Sequence, residues 1–223
     1  MCGVIGVWLE DVIQEDLDLV RRIFDETMIR GKHATGLSYV KGGKVHTIKE
    51  SVPVTWFFNN KDLKDYVNED GNLYLIGHIR YSTSDLRYNQ PFSDDSLSIA
   101  HNGVISQEDP STWKYNCETA NDSEMIFHSM KTGMDPLTDF EPASMAVVAL
   151  NSNKELKGFR NNERPLYYSC VDNGYVFTST ANIALRSGLT NTKKCDMFSV
   201  YTISDNKLVV NKVDHDDRIQ DLQ

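Results

Sequence analysis

Four cysteines in 223 residues, at positions 2, 117, 170 and 195, are too few and too scattered for a disulfide framework. No Cys-x-x-Cys pair occurs, so the spacing suggests no zinc site either. Basic residues are outnumbered, 23 Lys and Arg against 32 Asp and Glu, and nowhere cluster; this argues against nucleic acid as a partner. Long apolar runs are missing as well. Met145 to Leu150 is among the longest and falls far short of a bilayer span, and the start lacks the basic flank and cleavage site of a signal peptide. A cytoplasmic protein with no membrane partner is the expectation. There is no internal repeat and no low-complexity linker, and the 40% hydrophobic and 25% charged content is ordinary for a globular chain.

What is present is mostly strand, broken by a few helices. Cys2 to Trp8 reads as a buried strand. Ile13, Leu17, Val20, Ile23, Phe24 and Met28 then recur at helical spacing until Gly31 offers a stop. Gly42-Gly43 between Thr35–Val40 and Lys44–Lys49 predicts a tight hairpin. A short polar helix is expected over Lys61–Asn68, buried strands over Leu73–Arg80 and Leu97–Ala100, and a helix over Ser123–Lys131 stopped at Gly133. Beyond it, strands are expected at Ser144–Leu150, Glu155–Arg160, Pro165–Val171 and Tyr175–Thr178. A short helix at Asn182–Arg186 follows, then a hairpin, Phe198–Ile203 with Leu208–Val213, turned at Asp205-Asn206. Strand-rich halves around amphipathic helices define an α+β class with antiparallel sheets. Residues 1–213 form the expected domain and 214–223 a polar tail.

Cys2 follows an initiator that can be removed. Loss of Met1 would leave a thiol and a free α-amine on one residue. Their ordinary pKa values, about 8.5 and about 7.7–8.0, let the amine take the thiol proton near neutral pH. His101-Asn102-Gly103 offers a side-chain amide and a backbone N–H that together suit an oxyanion, although Asn-Gly is also a common turn. Arg80, ahead of Tyr81-Ser82-Thr83, is either a carboxylate clamp or a surface arginine. Asp122 or Ser123 reads as a helix cap and Glu124 as a first-turn charge, with Asp122 alternatively receiving an ammonium. His78, His101 and His128 read as packed or capping residues, and Cys117, Cys170 and Cys195 as inert thiols.

The ordered set Met1-Cys2-Gly3-Val4-Ile5-Gly6, Arg30-Gly31, Gly77-His78-Ile79-Arg80-Tyr81-Ser82-Thr83, Gln90-Pro91-Phe92, His101-Asn102-Gly103, Asp122-Ser123-Glu124 and Arg164-Pro165-Leu166 resembles the glutaminase domain of class II glutamine amidotransferases. These are N-terminal nucleophile hydrolases. The resemblance, running from Cys2 to about Leu185, implies a four-layer αββα sandwich of two antiparallel sheets. It implies that Cys2 is the nucleophile with its own amine as base, and that Asn102 and the Gly103 N–H hold the oxyanion. Arg80 and Thr83 would meet the α-carboxylate of L-glutamine and Asp122 its ammonium. Neither a metal nor an organic cofactor is implied. Fixing both charged ends at a set distance from the thiol selects glutamine over asparagine by one methylene.

Two departures stand out. Where such domains usually carry Arg-Gly-x-Asp-Ser-x-Gly, this chain has His33 and Ala34 in place of the aspartate and serine, and Thr178-Ser179-Thr180 lacks a usual glutamate. No acceptor domain is legible, so the ammonia is expected to pass to a separate synthase subunit. The alternatives are an amidohydrolase for another γ-glutamyl amide and a non-catalytic glutamine-binding domain.

Overall fold

Alternation along the first strand sets the architecture. Val4 and Trp8 point one way, into a core shared with Ala146, Val148 and Leu150, while Ile5, Val7 and Leu9 point the other way, onto Leu17, Val20, Ile23 and Phe24. A strand buried on both faces must lie in an inner layer, and all of Gly3–Leu9 is buried.

The computed structural model describes residues 1–82, 88–141, 143–161 and 164–214. In chain order the elements are β1 (Gly3–Leu9), α1 (Gln14–Thr27), β2 (Ala34–Lys41), β3 (Lys44–Glu50), α2 (Val54–Phe57), β4 (Leu73–Arg80), β5 (Phe92–Ser93) and β6 (Leu97–Val104). They continue with α3 (Glu124–Lys131), α4 (Pro136–Asp139), β7 (Ser144–Asn151), β8 (Leu156–Arg160), β9 (Tyr167–Val171), β10 (Gly174–Thr178), α5 (Ala181–Arg186), β11 (Thr192–Lys194), β12 (Ser199–Ser204) and β13 (Lys207–Lys212). One sheet runs β11-β9-β10-β1-β4-β2-β3 and the other β13-β12-β8-β7-β6-β5. Every pairing is antiparallel.

Three apolar clusters fill the spaces between layers. The first joins α1, α2 and α5 to the outer face of the first sheet; the second lies between the sheets around Trp8, Tyr74, Ile76 and Phe177; the third packs α3 and α4, through Ile126 and Leu137, on Ile99, Met145, Val147 and Phe159. The molecule is therefore the four-layer αββα sandwich. Each buried Val, Leu, Ile or Phe contributes about 1.5–3 kcal/mol, so the α1 stripe of Leu17, Val20, Ile23 and Phe24 alone fixes that helix firmly. No helix among the described residues is long and apolar enough to cross a membrane.

Several local expectations change. Lys61–Asn68 holds only a 3₁₀ turn at Leu63–Tyr66, since its apolar residues Leu63 and Tyr66 are three apart and a single turn buries both. Ile13 is exposed and precedes α1, whose entry is closed by Asp16 accepting from the Ile13 N–H at 3.0 Å. Gly31 is extended at φ −178°, not a left-handed helix stop; the chain leaves α1 through a 3₁₀ turn, Met28–Arg30. The most consequential change is at Leu97–Ala100, which continues to Val104 as β6 paired with β7. The turn reading of Asn102-Gly103 is thereby excluded. Both hairpin turns appear as expected, with positive φ at Gly42 and Gly43 and at Asp205 and Asn206.

Candidate functional site

Antiparallel registry gathers chain segments remote in sequence at one end of the sandwich. The start of β1 lies beside the end of β4, with Gly3 opposite Ile79, and the end of β6 lies beside the start of β7, with Asn102 opposite Ala146. Counting by twos from the inter-sheet residues Tyr74 and Ile76 places His78 and Arg80 on the inward face of β4, and counting from Ala100 does the same for Asn102. A cleft of about 670 Å³ opens there. Cys2, Arg80, Asn102, Gly103 and Asp122 all line it. Thr83, the other candidate, lies outside the described residues.

Cys2 is half-buried at the mouth, its Sγ 3.9 Å from the Tyr81 carbonyl. Its own carbonyl accepts from Arg30 Nε at 3.2 Å, and just inside, Val4 N–H donates to the buried Ser179 hydroxyl at 2.7 Å. Arg30 is thus a clamp on the first residues. Burial pushes its guanidinium below the usual value against the pull of Cys2, with the like charge of Arg164 acting in the same direction as burial. Arg164 also lines the cleft, its Nη1 lying 3.8 Å from Met1 Sδ.

Asn102 is the chemically distinctive member. The residue is 3% exposed, and among the described residues Nδ2 has no hydrogen-bond partner. Buried donors are nearly always paired, so an unpaired amide on a residue that lines the cleft marks a place where an acceptor is expected. The neighbouring residue must be glycine: a Cβ at 103 would sit 1.9 Å from the Ser144 carbonyl and 2.5 Å from His101 Nε2.

Behind this strand end lies a closed hydrogen-bond circuit. His101 N–H donates to Gln90 Oε1 at 2.6 Å, and Gln90 Nε2 donates to Ser123 Oγ at 3.0 Å. The Ser123 hydroxyl is then left to donate to His101 Nδ1 at 2.8 Å, which assigns the imidazole proton to Nε2, facing the Ser144 carbonyl at 3.3 Å. Burial holds His101 below its ordinary value, so the ring is neutral, as the circuit requires. His78 is fully buried beside Arg80 and is pushed down to about 3 by burial.

The helix-cap reading needs correction. Ser123 makes no cap bond because its hydroxyl is committed to the circuit, and Asp122 turns away to accept from Ile105 N at 2.6 Å and Ser106 N at 3.1 Å. Glu124 gathers Glu118 N, Thr119 N and Thr119 Oγ1, closing the loop ahead of α3 instead of merely complementing the helix. Arg80 is likewise not a surface arginine. It is 6% exposed and donates through Nη1 to the Tyr88 carbonyl and Asn89 Oδ1, both at 2.7 Å.

Several site residues carried no assigned role in the sequence. Gln90, Arg30 and Arg164 fell inside resembling motifs, but only the fold shows what each touches. His33, at the motif position of the missing aspartate, accepts from Ser82 N at 2.8 Å, with its ring 5.2 Å from that of Tyr81. Cys117 and Cys195 are pushed up by burial, Cys117 to about 11 with help from Glu124 and Asp122, which leaves neither suited to attack as a thiolate.

The four-layer sandwich of two antiparallel sheets is the N-terminal nucleophile hydrolase fold, and Cys2 lies in the cleft at one end of it. Solved structures match it across nearly the whole chain. A glutamine phosphoribosylpyrophosphate amidotransferase from B. subtilis, complexed with ADP and GMP, matches at TM-score 0.74 and 21% identity over 95% of this chain and 49% of that one. A structure described as the allosteric regulatory enzyme of purine biosynthesis matches at TM-score 0.69 and 20% identity, again over 95% and 49%. A glutamine aminotransferase class-II domain protein from Silicibacter pomeroyi matches at TM-score 0.54 and 14% identity over 95% of this chain and 99% of its own. The chain thus spans about half the length of the first two. No protein-family model matches it, and a search of curated proteins finds no match either.

Proposed function

We propose that this chain is a glutaminase domain of the class II amidotransferase kind, hydrolysing L-glutamine to glutamate and ammonia through Cys2. The observation that carries the reading is the meeting of Cys2, Arg80, Asn102, Gly103 and Asp122 in one cleft, with Asn102 Nδ2 buried and unpaired. The fold shared with amidotransferase structures supports it.

In this reading, removal of Met1 frees the α-amine of Cys2. The amine takes the thiol proton as sulfur attacks the glutamine side-chain carbonyl, and the oxygen's new charge is held by Asn102 Nδ2–H and Gly103 N–H. The ammonium of Cys2 returns its proton to the amide nitrogen as collapse breaks the C–N bond, and that nitrogen leaves as ammonia. Water then hydrolyses the γ-glutamyl thioester, releasing glutamate and the thiol. Arg80 lends its guanidinium to the α-carboxylate. Asp122, held by two loop N–H groups, presents its charge to the α-ammonium. The ammonia passes on to an acceptor site in a partner domain or subunit.

The test is glutamate release from glutamine by protein shown by intact mass to begin at Cys2. Turnover absent from that sample, with and without cell extract to supply a partner, would overturn the reading. A screen of other γ-glutamyl amides in the same assay distinguishes a different amidohydrolase.

A further inference from the structure

Beside the cleft wall, but not part of the hydrolytic machinery, three side chains of different chemistry converge: Cys117 on the loop before α3, and Glu124 and His128 on α3 itself. One donor atom from each lies within 4.8 Å of the other two. Glu124 and His128 are four residues apart and therefore share a helix face, with His128 Nε2 3.4 Å from Glu124 Oε1. Cys117 completes the triangle from a segment whose position the helix does not dictate.

Two features make this trio a prepared ligand set. The Glu124 carboxylate is almost fully buried, and three of its roughly four lone-pair positions are fixed by Glu118 N, Thr119 N and Thr119 Oγ1. The remaining one faces His128. The imidazole is itself held between rings, stacked with Tyr115 at 6.2 Å and edge-on to Phe127 at 5.5 Å. Neither ligand would lose much freedom on binding a cation. Tetrahedral zinc, with bonds of about 2.0–2.3 Å, sets its ligand atoms roughly 3.3–3.8 Å apart, so the widest pair here needs to close by only about 1 Å.

We propose that Cys117, Glu124 and His128 form a binding site for a divalent, thiol-accepting cation of the zinc type, with water in the fourth position. One sulfur, one imidazole nitrogen and one carboxylate oxygen select zinc or cobalt over magnesium or calcium, which favour all-oxygen sets. Binding releases the thiol proton to solvent and shifts the imidazole proton to Nδ1. Thiolate and carboxylate together then balance the two positive charges. The role is structural: the ion staples the 117 loop to α3, on either side of Asp122 and Ser123, and so stiffens the wall of the cleft. It touches none of the reacting atoms. The proposal does not depend on the glutaminase reading, and its readout is independent of turnover.

The experiment is a titration of chelator-treated full-length protein with cobalt(II) alone, followed by zinc(II) in competition. The expected result is one equivalent bound, with a thiolate-to-cobalt charge-transfer band and the visible bands of a four-coordinate ion, all bleached by zinc. A Cys2→Ser, Cys170→Ser double variant should keep the bands, because neither thiol is a ligand. Cys117→Ser should lose the charge-transfer band, and His128→Gln should bind at least about tenfold more weakly. Circular dichroism confirms that each variant is folded. Absence of saturable cobalt binding to the parent chain overturns the proposal regardless of the variants, as does a charge-transfer band that survives in Cys117→Ser.

Discussion

Asn102→Ala separates catalysis from stability in opposite directions. In the resting protein Asn102 Nδ2 is buried without a partner. Leaving a buried donor unsatisfied costs about 1–3 kcal/mol. Truncating the side chain therefore removes a penalty along with some packing, and the folded state should be unchanged or slightly firmer. At roughly 2–4 °C per kcal/mol for a domain of this size, Tm should hold steady or rise by a few degrees. The transition state, in contrast, loses an oxyanion donor. That loss corresponds to about 2.7–4 kcal/mol, or a fall of about 10²–10³ in kcat, with KM little altered. The assay is glutamate release at saturating glutamine, beside a thermal melt of the same preparation. A kcat within threefold of the parent would return Asn102 to a packing role. A lowered kcat accompanied by a Tm drop of more than about 5 °C would show that the lost rate is lost structure.

Cys2→Ala should abolish turnover while glutamine still protects the chain from thermal unfolding; residual turnover would remove Cys2 from the mechanism. Ser123→Ala opens the circuit that joins Gln90 to His101, and a net loss of about 0.5–1.5 kcal/mol for each broken bond should appear as a lower denaturant midpoint together with reduced kcat. An unchanged midpoint would mean that the circuit does not support the strand end. Gly103→Ala should fail to fold or lose β6–β7 pairing, since its methyl would overlap the Ser144 carbonyl; soluble, fully active protein would contradict the registry. His78 is held at about 3 when folded and near 6.5 when unfolded, so the unfolded chain binds the extra proton between those values. Its contribution is thus intact above about pH 6.5 and is lost progressively as pH falls toward 3, and His78→Leu should flatten that part of the stability curve if the ring is responsible.

The fold class and the helices with clear stripes were legible because β1 and α1 carry strong, simple periodicities. Val4 to Leu9 alternates between two cores, and Leu17, Val20, Ile23 and Phe24 make one continuous stripe. The five described candidate residues were found through motifs, and the fold brings them to one cleft. Their immediate partners were not legible. His101-Asn102-Gly103 looks like a turn on local chemistry, and only the long-range pairing with Met145 and Ala146 extends the strand through it. Asp122 and Ser123 look like caps because the loop at Ile105–Ser106 and the Gln90 amide, which compete for them, are far away in sequence. The Cys117, Glu124 and His128 cluster was invisible for the same reason: its spacing matches no short metal motif, and the loop geometry closes it.

The most direct measurement is intact mass and peptide mapping of protein beginning at Cys2 after exposure to a diazoketone analogue of glutamine. The account predicts a single adduct, with dinitrogen lost, on Cys2 Sγ, suppressed by excess glutamine and absent when Met1 is retained. An unlabelled Cys2, or label on Cys117, Cys170 or Cys195 while glutamine offers no protection, would contradict it.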